Sequence, residues 1–379
     1  MKVRLGDICE IQSGGTPSRS KQEYWENGTI PWVKISDIKG KFVKSSEELI
    51  TKLGLTNSSA KIFPSGTILY TIFATLGEVG ILATSAATNQ AIAGLQLIDD
   101  NFLRDYLFYY LLSKKQYVAK IGRGVAQNNI NLSILKNFEI QCLNLQEQKS
   151  IVEALDKVSE IISLRKQQLT KLDELVKSRF IEMFGDIITN SKNWDIQPLG
   201  ELCTIVRGGS PRPIEKFLGG DIPLIKIGDA TKGDSIYIHS TQEHIIEAGV
   251  SKSRFIKAGS LIFANCGVSL GFARITTFDG CIHDGWLAMD DISTHLNKVF
   301  LLKSLNQITE HFRKIAPAGT QPNLNTAIMK AYKQVVPPLP LQQQFAAFVE
   351  KVDKSKLAVK QSLEKLETLK KSLMQQYFG

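Results

Sequence analysis

Cysteine, histidine and long apolar runs are all scarce in this chain of 379 residues. Its five cysteines (Cys9, Cys142, Cys203, Cys266 and Cys281) are odd in number and far apart, with no Cys-x-x-Cys pair. That pattern argues against a disulfide framework and against a zinc site, and favours a reducing compartment. No stretch approaches the ~18–20 uncharged residues of a membrane helix. The opening MKVRLGDICEIQSGG turns polar by its sixth residue, unlike a signal peptide, so a cytoplasmic chain is expected. Histidine is confined to the interval from His239 to His311.

Catalytic signatures are missing as well. There is no G-x-x-x-x-G-K-S/T, no G-x-G-x-x-G that follows a strand and opens a helix, no H-E-x-x-H and no G-x-S-x-G. No acidic pair followed by E-x-K marks a nuclease core. The nearest string to a methyltransferase N-P-P-Y loop, VPPLP at 336–340, lacks the side-chain amide that would hold an exocyclic amino group. Neither a cofactor nor a metal is therefore expected.

What is present is a duplication. LGDICEIQSGGTP, from Leu5 to Pro17, returns 194 residues later as LGELCTIVRGGSP, from Leu199 to Pro211. GTIPWVKISD (Gly28 to Asp37) returns as GDIPLIKIGD (Gly220 to Asp229), and FPSGTILY as IKAGSLIF. Each of the latter pair is followed by a Leu-Gly, at Leu76-Gly77 and Leu270-Gly271. QNNINLSILK (Gln127 to Lys136) returns as QPNLNTAIMK (Gln321 to Lys330), and both copies lead into a glutamine-rich helix start, LQEQ and LQQQ. The repeated unit is a whole domain rather than a short solenoid repeat.

Within each copy, short β-branched runs such as GTILYTIF and SLIFANC read as strands, and the Gly, Pro, Ser and Asn clusters between them as loops. One helical pattern closes each globular part, FLRDYLFYYLLSKKQYVAKI and VFLLKSLNQITEHFRKI. After each comes a longer one. Leu155, Val158, Ile162, Leu169, Leu172 and Val176 recur at spacings of three, four and seven, and so do Val352, Val359, Leu363, Leu366 and Leu373. Polar Arg165, Arg179, Lys356 and Lys370 fall in the gaps of the two stripes. A 3.5-residue period is that of a coiled-coil seam, and each helix would be ~55 Å long at 1.5 Å per residue. Neither can bury its stripe alone. Pairing within the chain, about a pseudo-twofold axis that sets the helices antiparallel, is the simplest solution.

The fold class expected is α+β: two tandem globular domains joined by two long helices in an antiparallel coiled coil. The boundaries expected are 1–145 for the first domain, 146–184 for the central helix, 185–340 for the second domain and 341–379 for the last helix.

Both copies share a role, since a catalytic histidine would break the symmetry of the repeat: His283-Asp284 falls where the first copy has Asn89-Gln90. Recognition is what remains. Phosphate contacts need Lys and Arg, and base edges need Asn, Gln, Ser, Thr, Asp and Arg held on rigid loops. The candidate DNA-binding residues are Arg19, Lys34, Ser36, Asp37, Thr75, Asn89, Gln90 and Gln127 in the first copy. In the second they are Arg207, Arg212, Lys226, Asp229, Asn265, His283, Asp284 and Gln321. The Gln-x-Asn strings also carry the residue type that caps a following helix. The stretches 40–62 and 233–255 bear little resemblance to one another, as expected of loops that read different sequences.

The order of motifs resembles the DNA-specificity subunit of type I restriction-modification systems. The elements are L-G-D/E-I/L-C with G-G-T/S-P, I-P-x-V/I-K-I-x-D, G-x-I/L-I/L-Y/F, Q-x-N-I/L-N, and an L-Q-x-Q start to a long helix, each present twice. The resemblance implies two target-recognition domains, each reading half of a bipartite site in double-stranded DNA, with the helices fixing the unread gap. It implies assembly with two methyltransferase subunits, docked on the exposed sides of 146–184 and 341–379, and with ATP-driven restriction and translocation subunits. It implies no catalytic site and no cofactor in the chain itself. Chain length after the last helix is short for the family, so any docking surface supplied there by a tail would lie elsewhere. Two other readings stay open on the residues alone: a stand-alone DNA-modifying enzyme with divergent motifs, or a coiled-coil adaptor for proteins.

The net charge of +9 hints only weakly at a polyanionic partner. Residues 1–189 carry an excess of +3 and the remainder +6, so neither half is a basic tail.

Overall fold

The computed structural model describes residues 1–122, 129–231, 236–267, 269–317 and 322–379. Its contacts divide the chain into two units, Met1–Lys166 with Gln361–Gly379, and Gln167–Lys360. The division passes through both long helices, Leu145–Phe184 and Leu339–Phe378.

In the first unit a five-stranded sheet runs in the order Cys9–Ser13, Ile92–Leu97, Ile68–Thr71, Val79–Leu82, Phe42–Val43. A four-stranded sheet joins Glu48–Ile50, Ile30–Val33, Ala86–Thr88 and Ile62–Phe63. The second unit repeats both. Its five strands are Thr204–Arg207, Trp286–Asp290, Leu261–Ala264, Ala273–Thr276 and Tyr237–Ile238, and its four are Glu243–Ile245, Leu218–Ile225, Gly280–Ile282 and Arg254–Ile256. Parallel and antiparallel pairs mix in both: Trp32 pairs parallel with Ala87, and Leu224 with Cys281. The β-branched runs read as strands are the central ones, Ile68–Thr71 and Leu261–Ala264, and every residue of both is buried. Burial on both faces is why these strands read as continuous apolar runs rather than alternating ones.

The helical pattern that closes each globular part is broken in two, at Arg104–Ser113 and Lys115–Gly122, and at Lys298–Gln307 and Thr309–Ile315. The break belongs to the Leu-Gly pair. Gly77 and Gly271 have φ of +80° and +98°, and a Cβ on either would press on Lys115 or Thr309, the first residue after the break. In the second unit the Thr309 hydroxyl donates to the Gly271 carbonyl at 2.6 Å. Periodicity alone cannot reveal such a tertiary interruption.

The long helices pair in antiparallel sense. In the first unit Lys166 meets Glu367 at 3.0 Å, and in the second Asp173 meets Lys356 at 2.6 Å, so residue numbers rise along one helix as they fall along the other. Leu155 and Val158 are buried in the first unit; Ile162, Leu363, Leu366 and Leu373 are half-buried. In the second unit Val176, Val352 and Val359 are buried, and Leu169 and Leu172 are half-buried. Lys356 is itself buried on the seam, its ammonium satisfied by Asp173.

Each helix end is part of a domain core. In the first unit Phe378 packs on Tyr106 and Tyr110, with ring centroids 5.3 and 6.2 Å away. In the second unit Phe184 packs on Phe300 at 4.7 Å, in a cluster with Phe180 and Phe345. Phe184 and Phe378 are 194 residues apart, as are Phe300 and Tyr106.

Each helix start is locked by a buried glutamine, Gln148 or Gln342, both 0% exposed. The Gln148 amide oxygen accepts from the Leu103 N–H at 2.8 Å, and its nitrogen donates to the Asn101 and Leu143 carbonyls. The Gln342 oxygen accepts from the Asn297 N–H at 2.8 Å, and its nitrogen donates to the His295 and Pro337 carbonyls. One buried amide thus satisfies three backbone groups. This is the physical content of the repeated L-Q-x-Q string. Truncating Gln342 to Ala is expected to cost about 2–4 kcal/mol, because those backbone groups lose their partners. Truncating the neighbouring Gln343 is expected to cost under about 0.5 kcal/mol. Urea denaturation of the full chain checks both.

Candidate nucleic-acid interface

The repeated G-G-T/S-P loops lie against the turns that hold Asn89-Gln90 and His283-Asp284. The Gly14 and Gly15 N–H groups donate to the Ile92 and Thr88 carbonyls at 3.0 and 2.9 Å; those of Gly208 and Gly209 donate to Trp286 and Ile282 at 2.8 and 3.0 Å. A Cβ at Gly14 or Gly208 would collide with the carbonyl of Thr88 or His283, so only glycine allows this approach. The hydroxyl that follows then meets the turn: Thr16 donates to the Gln90 amide oxygen, and Ser210 to the Asp284 carboxylate at 3.0 Å.

Asn89 and His283 share one job. The Asn89 side-chain oxygen accepts the Ala91 N–H at 3.2 Å, and His283 Nδ1 accepts the Gly285 N–H at 3.0 Å. Both fold the turn by an acceptor two residues before the donor. With Nδ1 occupied as acceptor, the neutral ring carries its proton on Nε2, 3.0 Å from Asp284 Oδ1.

Around Asp284 the second unit assembles a charged cleft of roughly 400 Å³, lined by Arg207, Arg212, Cys266, His283, Asp284 and Asn323 among others. Arg212 reaches the carboxylate at 3.2 Å, and Arg207 Nε donates to the Asp284 carbonyl at 3.1 Å. Burial pushes the carboxyl up, but His283, the Ser210 hydrogen bond and the two arginines together hold it below its ordinary value. Burial also pushes the His283 imidazole down, reinforced by Lys226 and Arg212 and opposed by Asp284. Lys226 and His283 line the adjoining cleft with Arg212.

In the first unit Arg19 lies over the Trp25 ring at 3.7 Å and pairs with Glu48, which also holds Lys34 at 2.7 Å. The hydrogen bond from Arg19, with Lys34 beside it, outweighs burial and keeps the Glu48 carboxyl below its ordinary value. Lys226 is paired likewise with Glu243 at 2.5 Å. Ser36, Thr75 and Gln90 are exposed.

Three candidates point inward instead. Asp37 is only 8% exposed: one oxygen accepts the Lys34 N–H at 2.8 Å and the other the Glu47 N–H at 3.4 Å. Asp229 closes the same loop on the Lys226 and Gln242 N–H groups, at 2.8 and 3.4 Å. Asn265 is 0% exposed and donates to Asn323 at 3.2 Å behind the cleft. These side chains shape loops rather than face a ligand, because their oxygens are taken by backbone N–H groups or sealed from solvent. Gln127 and Gln321 lie outside the described residues. In the same strings Asn131 and Asn325 cap short helices, accepting from Ile134 and Ile328 at 2.8 and 2.9 Å.

Glu48 and Glu243 escaped the sequence reading, which treated 40–62 and 233–255 as unrelated. Only the fold relates them: Glu48-Leu49-Ile50 and Glu243-His244-Ile245 are equivalent edge strands of the two four-stranded sheets.

A family model described as the type I restriction modification DNA specificity domain matches residues 1–174 and again 191–369. The chain belongs to that family. It is 27% identical over 376 residues to the type I restriction enzyme MjaIX specificity subunit of Methanocaldococcus jannaschii, covering 92% of this chain and 85% of that protein. In fold it is similar to a chain solved in work on assembly and conformational transition of the type I R-M system, with a TM-score of 0.65 at 19% identity, covering 100% and 97% of the two chains. It is also similar to the S subunit of M. genitalium, with a TM-score of 0.58 at 16% identity and coverage of 100% and 96%. Among the described residues no helix is long and apolar enough to cross a membrane, and no group of three or more His, Cys, Asp or Glu side chains is placed to hold a metal.

The paired turns give a direct test. Because Asn89 performs the acceptor role of His283, His283→Asn is expected to keep the turn, whereas His283→Ala is expected to lose about 1 kcal/mol. The depressed imidazole also has a sign. The unfolded chain, with the ordinary value of 6.5, binds a proton that the folded one resists, so stability falls as pH drops below about 6.5. Urea midpoints at pH 7.5 and 5.5 are expected to drop more steeply in the wild-type chain than in His283→Asn.

Proposed function

We propose that this chain is the non-catalytic DNA-reading subunit of a type I restriction-modification assembly. Each globular part reads one half of a bipartite duplex site. The long helices set the unread gap, and their exposed sides dock two methyltransferase subunits, which supply the modification chemistry. Restriction and translocation subunits complete the assembly in the cytoplasm. Arg19, Lys34, Ser36, Thr75 and Gln90 face the DNA in the first half, and Arg207, Arg212, Lys226, His283 and Asp284 in the second. The observation that carries the reading is the duplicated turn beneath the G-G-T/S-P loop, one backbone that presents an amide in one copy and a carboxylate with two arginines in the other. Reading two different half-sites needs that combination of constant scaffold and variable donors and acceptors.

The purified chain, incubated with duplex DNA, Mg²⁺ and S-adenosylmethionine, is expected to bind duplex with a salt-dependent affinity and to turn nothing over. Turnover without a partner would overturn the reading. Inserting one heptad into each long helix adds ~10 Å, about three base pairs at 3.4 Å each. Methylation mapping in a host that supplies the methyltransferase is expected to show the gap lengthened by that amount with both half-sites intact. An unchanged gap would sink the ruler role.

A further inference from the structure

The two heads share one backbone turn beneath the G-G-T/S-P loop, yet four aligned positions differ in chemistry. Ser13, Ser18, Asn89 and Gln90 of the first correspond, at the constant offset of 194, to Arg207, Arg212, His283 and Asp284 of the second. The cleft of the second therefore holds two guanidinium groups and a carboxylate at positions where the first copy has hydroxyls and amides.

Resting on the DNA-reading role above, we propose that Arg212 and Asp284 together read a G·C pair in the second half-site, Arg212 donating to guanine O6 and N7 and Asp284 accepting from cytosine N4. The major-groove edge of a G·C pair presents two acceptors on guanine beside one amino donor on cytosine. The Arg212 side chain is 81% exposed, and one nitrogen of its fork is held 3.2 Å from Asp284 Oδ2. A guanidinium braced from one side loses less freedom when it grips a planar partner. Asp284 is itself fixed: Ser210 and His283 Nε2 each lie 3.0 Å from Oδ1, and its carbonyl holds Arg207. It retains acceptor capacity, since two carboxylate oxygens offer about four lone-pair sites.

A phosphate contact would have different requirements. An anionic carboxylate beside the fork repels phosphate oxygens and welcomes an amino group, so the pair is matched to a base edge rather than to the DNA backbone. Gln90, with both donor and acceptor on one amide, marks the contrasting case in the first head, the pattern adenine takes.

The test is methylation mapping with the full chain and its methyltransferase subunits, in a host without background methylation. The wild-type motif is expected to hold an invariant G·C pair in one half. Arg212→Gln is expected to relax that position alone, losing roughly 5- to 150-fold of discrimination, with the other half-site and the gap unchanged. Asp284→Asn is expected to weaken the preference at the same position and at no other. Arg212→Lys keeps the charge at an exposed site and lacks the fork, so it too is expected to lose the guanine preference while the chain stays folded. A wild-type motif with no G·C pair in the half altered by swapping residues 185–340 would overturn the assignment while leaving the DNA-reading role intact. So would a uniform loss of methylation with an unchanged motif in Arg212→Gln, or wild-type discrimination in Arg212→Lys. Absence of any sequence-specific methylation by the wild-type assembly would overturn the role beneath it.

Discussion

Neither repeat completes its own core. The first unit is sealed by Phe378, a residue from the far end of the chain, and the second by Phe180 and Phe184 from the helix that leaves the first repeat. Burying a phenylalanine side chain contributes about 1.5–3 kcal/mol, a sizeable part of a domain's net stability. The covalent duplication is therefore also an energetic one: each globular part depends on a helix end that the other repeat supplies. Gln148 and Gln342 fix the opposite ends of the same helices by satisfying backbone groups. With both ends held, a helix is a defined length rather than a flexible linker.

That dependence explains the composition of the seam. A coiled coil free in solution needs a continuous apolar stripe, but these helices are already anchored by domain cores at both ends. The middle can then tolerate a buried Lys356 on Asp173. Polar residues on a seam cost stability and specify pairing register. Exposed leucines on the outward sides leave apolar area for partners, in keeping with the docking role proposed for them.

Much of the architecture was legible because duplication is a long-range signal and helix periodicity a regular one. The repeat spacing of 194, the central strands and the two long helices all follow from patterns that do not depend on tertiary detail. The site was legible only in part. Asn89, Gln90, His283 and Asp284 do meet the G-G-T/S-P loops, since the aligned motifs required a common turn. Asp37 and Asn265 face inward because a short polar side chain serves a ligand or a nearby N–H equally well, and only the fold decides between them. Glu48 and Glu243 were hidden by the opposite problem: the strand they begin is three residues long, too short for alternation to register.

Turn and exposed side chains carry unequal weight in the fold. Gly14, Gly208, Gln148 and Gln342 pack against backbone with no room for substitution, so changes there are costly. Arg212, Gln90 and Arg19 have exposed side chains, where a substitution removes an ion pair, a hydrogen bond or a ring contact and leaves the backbone in place. A change of side chain at these exposed positions therefore disturbs the fold less than a change at Gly14 or Gly208, where a Cβ would displace backbone. Fixed turns beneath replaceable side chains are how one duplicated domain can carry two unlike chemistries, as Ser13 and Ser18 against Arg207 and Arg212 do here.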